Sequence, residues 1–254
     1  MGSGQLTVFA LPGIPLVKNG DALDALILEA LDRASLQLED GDILVIAQKI
    51  ISKAEGRSIA LSEVKPTPEA YELAKATDKE PEIVQLILNE SQQILRHRPG
   101  VLIAEHKLGF ILANAGIDRS NVDADTDQVL LLPEDPDGSA SLLRKQLSSA
   151  SGKRLSIIIT DSVGRAWRMG TTGMALGSAG VEALTNLRGH KDLFGRELQV
   201  SEHAVADSVA SAAELIMGEG NEAIPVVIVR GLDEGYSGQD AKHLFRPQHE
   251  DMFR

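Results

Sequence analysis

Residues 155–168 read LSIIITDSVGRAWR, from Leu155 to Arg168. Leu155 to Thr160 is a short, mostly apolar run rich in β-branched side chains. Such a run predicts a strand covered on both faces. Asp161 and Ser162 follow it directly, so the chain changes from core to chemistry within one residue. Working outward, three segments repeat the theme. Ile43 to Ala47 (ILVIA), Leu108 to Ala113 (LGFILA) and Pro225 to Val229 (PVVIV) all predict buried strands. Leu6 to Leu11 predicts a strand entering the Pro12-Gly13 turn, and Leu130 to Leu132 a shorter one. Helical spacing of apolar residues covers Asp21 to Ala34, with Asp21 as N-cap, and His203 to Met217, ended by Gly218. Ser139 to Ser149 predicts a helix capped by Ser139. Residues 66–97 predict helix in two or three pieces, started by Pro66, Pro68 and Pro81 and including the stripe IVQLILNESQQIL. Residues 164–201 hold many glycines and little periodicity, which predicts short strands, turns and substrate loops. Buried strands among helices, irregularly connected and without internal repeats, predict a mixed α/β chain and not a barrel.

Composition narrows the function. At 254 residues with 43% hydrophobic side chains, the chain can bury a large core without staples, and it has no cysteine to make them. Disulfides and thiolate metal sites are therefore excluded. The net charge of −12 argues against a nucleic-acid surface, which needs clustered Lys and Arg. It also means that a phosphate-bearing ligand needs a local cation to reverse the sign of the field. No stretch reaches the ~20 apolar residues of a membrane span. The N-terminal residues lack a basic, then apolar, secretory pattern, so the expectation is a cytoplasmic protein.

Several nucleotide and metal motifs are missing. There is no GxGxxG after a strand, no GxxxxGK[ST] and no HExxH, so neither a Rossmann site nor a P-loop is expected. What remains is a pair of acids just past buried strands. Asp161 follows IIIT, and Asp118 follows GFILA and an Asn-Ala-Gly turn. Ligands of open α/β sheets gather outside the carboxyl ends of strands. Carboxylate and hydroxyl oxygens suit Mg²⁺ or Mn²⁺, and Ser162 adds a hydroxyl. The competing structural reading is that Asp118 caps a turn and Asp161 a helix. Arg165 and Arg168 could grip a phosphate or carboxylate, or form surface ion pairs. Trp167 between them could stack or pack in a core. Gln48, Lys49 and Lys53 follow ILVIA, where a lysine can meet phosphate or simply be solvated. Arg188 with Asp192, and Arg196, could orient a substrate or tie loops together. Six histidines show no ligand spacing.

GDILVIAQKIISKAEGR, ANAGIDRSN, TDSVGRAWR, ADSVASAAELIMG and PVVIVRGL occur in this order along the chain. Together they resemble the coenzyme F420-0:γ-glutamyl ligase family, in its stand-alone form, over one module spanning residues 1–254. Three positions depart from the family pattern: Ser162, Val163 and Ala166 stand where Thr, Phe and Pro are common. The resemblance implies an α+β (mixed α/β) fold of two intertwined subdomains with mixed sheets. It implies a GTP-dependent ligase joining L-glutamate to coenzyme F420-0 and then further γ-linked glutamates, and working as a homodimer. It implies Mg²⁺ or Mn²⁺, and potassium as a further ion. On that match Asp118, Asp161, Ser162 and Glu219 would be metal ligands. Leu11, Pro12, Gly13, Ile14, Gln48, Lys53 and Asn121 would contact GTP. Arg165 and Arg168 would hold the acceptor in catalysis. A related metal-dependent amide ligase or phosphotransferase, or a non-catalytic nucleotide-binding homologue, stands as the alternative.

Overall fold

The computed structural model describes residues 4–119, 127–232 and 236–252. In chain order the first elements are β1 (Thr7–Ala10), α1 (Leu23–Ala34), β2 (Ile43–Ala47), α2 (Gln48–Ala54), β3 (Ser58–Ala60), α3 (Pro68–Thr77) and α4 (Pro81–Glu90). Next come β4 (Ser91–Arg98), β5 (Val101–His106), β6 (Ile111–Ala113), β7 (Gln128–Leu130), α5 (Pro136–Ser151), β8 (Ser156–Arg165) and β9 (Arg168–Val181). The chain ends with β10 (Leu184–Asn186), β11 (Glu202–Ala204), α6 (Val205–Met217), β12 (Val226–Arg230) and β13 (Tyr236–Ser237).

The main sheet has the order β1-β12-β2-β8-β9-β13. Only β2 and β8 run parallel, and the other neighbours are antiparallel. Its strands alternate cleanly between two cores. Leu44, Ile46, Ile157, Ile159, Val226 and Ile228 pack with α1, α2 and α5. Ile43, Val45, Ile158, Val227 and Val229 pack with α6. This is the period-2 pattern of a pleated sheet covered on both sides, and it explains why ILVIA, SIIIT and PVVIV read as unbroken apolar runs. Between α2 and α5 the chain leaves this sheet to build a second body. There β4-β5-β6 and the β3–β7 pair enclose Leu86, Ile87, Leu102, Ala104, Val129 and Leu131. The α+β class expected from the sequence is the one observed.

Several local expectations are corrected. Asp21 does not cap α1, because its carboxylate accepts the Lys18 N–H at 2.7 Å and the helix begins at Leu23. Ser139 lies inside the first turn of α5, which is opened by Pro136, and its hydroxyl donates to Glu55 instead. The helical reading of 66–97 ends at Glu90. Ser91–Arg98 is a strand paired with β5 across the Pro99-Gly100 turn, so tertiary pairing overrides the stripe. Leu108–Ala113 is a strand only over its last three residues. Residues 168–181 form a single fourteen-residue strand, not loops. Its glycines serve close packing: a Cβ on Gly173 would lie 2.5 Å from the Ala210 carbonyl oxygen of α6.

Candidate active site

Four stretches meet at one end of the main sheet. Leu11, just past β1, donates its N–H to the Val226 carbonyl at 3.0 Å. Ala47, the last residue of β2, donates to the Pro225 carbonyl at 2.8 Å and pairs with Thr160 of β8. The Leu11–Ile14 turn, the 218–225 loop, the start of α2 and Asp161 are thereby brought side by side. Asp161 does not sit beyond its strand, as expected from the sequence. β8 continues through it to Arg165 as one arm of a hairpin with β9, so neither the helix-cap reading nor a strand end applies.

On the α2 side, Asp161 and Asp118 form one acidic group around Lys49. The Lys49 ammonium lies 2.7 Å from Asp118 Oδ2. Burial pushes the Asp161 carboxyl up to about 6, opposed by the charge of Lys49 and the Ser162 backbone N–H, and reinforced by the charge of Asp118. The Gln48 side chain also hydrogen-bonds Asp161. Gln48 is itself 1% exposed and fixed by the Ser52 hydroxyl, which donates to its Oε1 at 2.9 Å. Asp118 is delivered by a kink: Asn114, Ala115 and Gly116 all have positive φ, at 53°, 52° and 71°. Asn and Gly tolerate this region, but Ala does not do so without cost. The strain is held by paired hydrogen bonds between Asp118 and Leu130.

On the α6 side a second acidic group forms. The Ser162 hydroxyl donates to Glu219 Oε2 at 3.1 Å, and the Thr171 hydroxyl of β9 to Glu219 Oε1 at 2.6 Å. Glu214 of α6 lies close enough to Glu219 to feel its charge. Burial first, then Glu219, then the charge of Asp161 push Glu214 up to about 7. Its Oε1 is buried with no hydrogen-bond partner among the described residues. Hence the four predicted metal ligands split into Asp118 with Asp161 and Ser162 with Glu219, joined through adjacent residues of β8.

Residues 13–231 match the family described as F420-0:Gamma-glutamyl ligase. The chain belongs to this family. It is 44% identical over 251 residues to the coenzyme F420:L-glutamate ligase of Methanothermobacter thermautotrophicus, covering 98% of this chain and 99% of that one. The protein of the same description from Archaeoglobus fulgidus is 44% identical over 250 residues, covering 98% of this chain and 97% of the relative. That of Methanocaldococcus jannaschii is 44% identical over 241 residues, covering 95% and 94%.

Within this γ-glutamyl ligase fold, the other expected residues fall in two places. Gln48 is at the convergence of strands, and Lys53 is in the last turn of α2. Leu11 is fully buried, while Gly13 (φ 84°) makes the turn and its carbonyl accepts from the Arg33 guanidinium at 2.8 Å. Pro12 and Ile14 flank that turn. Asn121 lies outside the described residues. Arg165 and Arg168 face each other at the tip of the β8–β9 hairpin, on the order of 13 Å along the strand from Asp161. They are exposed, and the structure does not bring them to the acids. Trp167 is 88% exposed, not a core indole. Asp192 accepts the N–H groups of Phe194 and Arg196 and Arg188 pairs with Glu202, which is loop-tying. A cleft of about 710 Å³ opens beside Asp118, between Lys79–Pro81 and Ile117–Arg119.

The donor set suits a hard divalent cation, because it offers carboxylate and hydroxyl oxygens with excess negative charge and one unpartnered carboxyl oxygen. Among the described residues no three His, Asp or Glu side chains already form a ligand cage. Water and substrate oxygens would have to complete the coordination, as is usual for Mg²⁺. Thr171 and Glu214 were not foreseen. The signal for Glu214 was an acid four residues after Ala210 and next to Ala213, both on the buried face of the helix. Among the described residues no helix is long and apolar enough to cross a membrane.

Proposed function

We propose that the chain is a GTP-dependent ligase that joins L-glutamate to coenzyme F420-0 through an amide bond and then adds further γ-linked glutamates. The observation that carries this reading is the meeting of Leu11–Ile14, Gln48, Asp161 and the 218–225 loop at one sheet end, with Asp118 and Glu219 on either side of β8. The relatives' descriptions supply the substrates, coenzyme F420 and L-glutamate.

In this reading the turn at Leu11–Ile14, Gln48 and Lys53 bind GTP, and so does Asn121. Asp118 and Asp161 would hold one divalent ion, Mg²⁺ or Mn²⁺, and Ser162 and Glu219 a second. When bound, such ions supply charge neutralisation between two anionic substrates. The acceptor carboxylate attacks the γ-phosphorus of GTP, releasing GDP and leaving an acyl phosphate. The glutamate amine then attacks the acyl carbon, expels phosphate and forms the amide. Phosphoryl transfer depends on positioning and electrostatics more than on a protein nucleophile. That suits a site with no cysteine and no Ser-His-Asp arrangement among the described residues. Arg165 and Arg168 would bind the acceptor's anionic groups from the hairpin tip. A homodimer is part of the proposal, supported by the large side chains Trp167, Met169, Leu193 and Phe194, each more than four-fifths exposed.

The test is to incubate the purified protein with coenzyme F420-0, L-glutamate and Mn²⁺, with GTP or ATP, and read products by mass spectrometry. Glutamylated deazaflavin together with GDP is expected. Absence of that product with either nucleotide sinks the assignment. ADP formation in place of GDP sinks only the nucleotide preference.

A further inference from the structure

Glu219 sits in a loop whose residues 218–223 are all exposed. An exposed loop gains no order from burial, so its fixed position has to come from specific contacts. Both oxygens of the Glu219 carboxylate are engaged, one by Ser162 of β8 at 3.1 Å and the other by Thr171 of β9 at 2.6 Å. The two strands of the hairpin are therefore bridged by one carboxyl group. The residues after Thr171 tie β9 to α6: Ser211 donates its hydroxyl to the Gly173 carbonyl at 2.9 Å, and the Thr172 and Ser211 hydroxyls lie 2.9 Å apart.

We propose that Thr171 is a positioning residue, which holds Glu219 over Ser162 and so presets this half of the divalent-ion site. The inference rests on the reading of Ser162 and Glu219 as an ion-binding pair and adds one residue outside that pair. Without Thr171 one Glu219 oxygen loses its donor. The loop then samples positions in which Glu219 is away from Ser162, and each divalent ion bound must be matched by the cost of ordering it again.

Mn²⁺ binding to the full chain tests this, by calorimetry and by the electron paramagnetic resonance of free Mn²⁺. The variants are Thr171→Val and Thr171→Ser, with Asp161→Asn as the variant for the other half-site. Thr171→Val should weaken one Mn²⁺ class about tenfold, the scale of one hydrogen bond to a charged group. Thr171→Ser restores the hydroxyl, so it should bind within about threefold of the parent. Thr171 is exposed, so its variants should melt with the parent, and any change in Mn²⁺ affinity is not misfolding. If the parent binds Mn²⁺ and Asp161→Asn weakens it, while Thr171→Val binds like the parent, the positioning role is overturned and the ion reading stands. If the parent binds no Mn²⁺, with or without GTP, the ion reading falls and takes this inference with it.

Discussion

Lys49 Nζ lies 2.7 Å from Asp118 Oδ2, and its charge also opposes the protonation of Asp161. One ammonium on α2 therefore answers two carboxylates brought from different parts of the chain. It occupies the electrostatic role that a divalent ion would take at this half of the site. Lys49→Gln should remove that compensating charge from both carboxylates. The expected result is a melting temperature a few degrees lower in chelator, since about 1 kcal/mol corresponds to roughly 2–4 °C in a chain of this size. Mn²⁺ should raise the melting temperature of the variant more than that of the parent. An equal or smaller Mn²⁺ response in a thermal-shift titration would mean that Lys49 does not stand in for the ion.

Asp161 makes stability depend on pH in a direction opposite to that of most carboxylates. Its folded-state pKa, about 6, is raised above the unfolded value near 3.8. The protonated form thus favours the fold at low pH, and that contribution is lost as pH rises through about 6. Above this pH, burying the ionised carboxylate costs on the order of 2–3 kcal/mol. Asp161→Asn should therefore stabilise the metal-free protein at pH 8 and change it little below pH 4, while abolishing glutamyl transfer. Melting curves in chelator at both pH values check the sign. A variant less stable than the parent at pH 8 would show that the carboxylate is already compensated.

Arg165 and Arg168 stand opposite each other in the hairpin register and are exposed. Arg165→Ala and Arg168→Ala should leave the melting temperature within about 1–2 °C of the parent, as for surface substitutions generally. On the proposed role, each should raise KM for coenzyme F420-0 about tenfold or more without changing KM for GTP. Steady-state kinetics with both substrates separates this from a purely structural part at the tip.

Gly173 is tested by a methyl group. A Cβ there would lie 2.5 Å from the Ala210 carbonyl oxygen and 2.9 Å from the Ser211 nitrogen. Both atoms are helix backbone and cannot rotate away. Gly173→Ala should push α6 off β9 and cost about 1–3 kcal/mol in chemical denaturation. A loss of less than about 0.5 kcal/mol would mean that helix and strand separate freely.

The two-sided burial of ILVIA, SIIIT and PVVIV was legible in sequence, because continuous β-branched runs have no other stable place than the middle of a sheet. The α6 helix, too, could be read from its periodicity, within two residues at its start. Asp118, Asp161 and Ser162 were legible as polar residues abutting such runs. The stripe through SQQIL was misread, since helical spacing over a few residues does not exclude a strand once β5 is there to pair with it. The Gly-rich segment was misread for a related reason. Glycines in β9 answer to α5 and α6 across space, and nothing in the local pattern marks them.

The sequence by itself determined the two-faced core, the α+β class and, through its ordered motifs, the family. Those properties follow from the burial preference of each residue and from long motifs, which are local in the chain. Only the tertiary structure decided how the acids group. It set Asp118 with Asp161 around Lys49, and Ser162 with Glu219 beside Thr171 and Glu214, on two sides of β8. It also carried Arg165 and Arg168 outward to a hairpin tip. These groupings depend on strand register and on how closely α6 packs on β9, which join residues such as Ser162 and Glu219, 57 positions apart in the chain, so no local pattern can encode them.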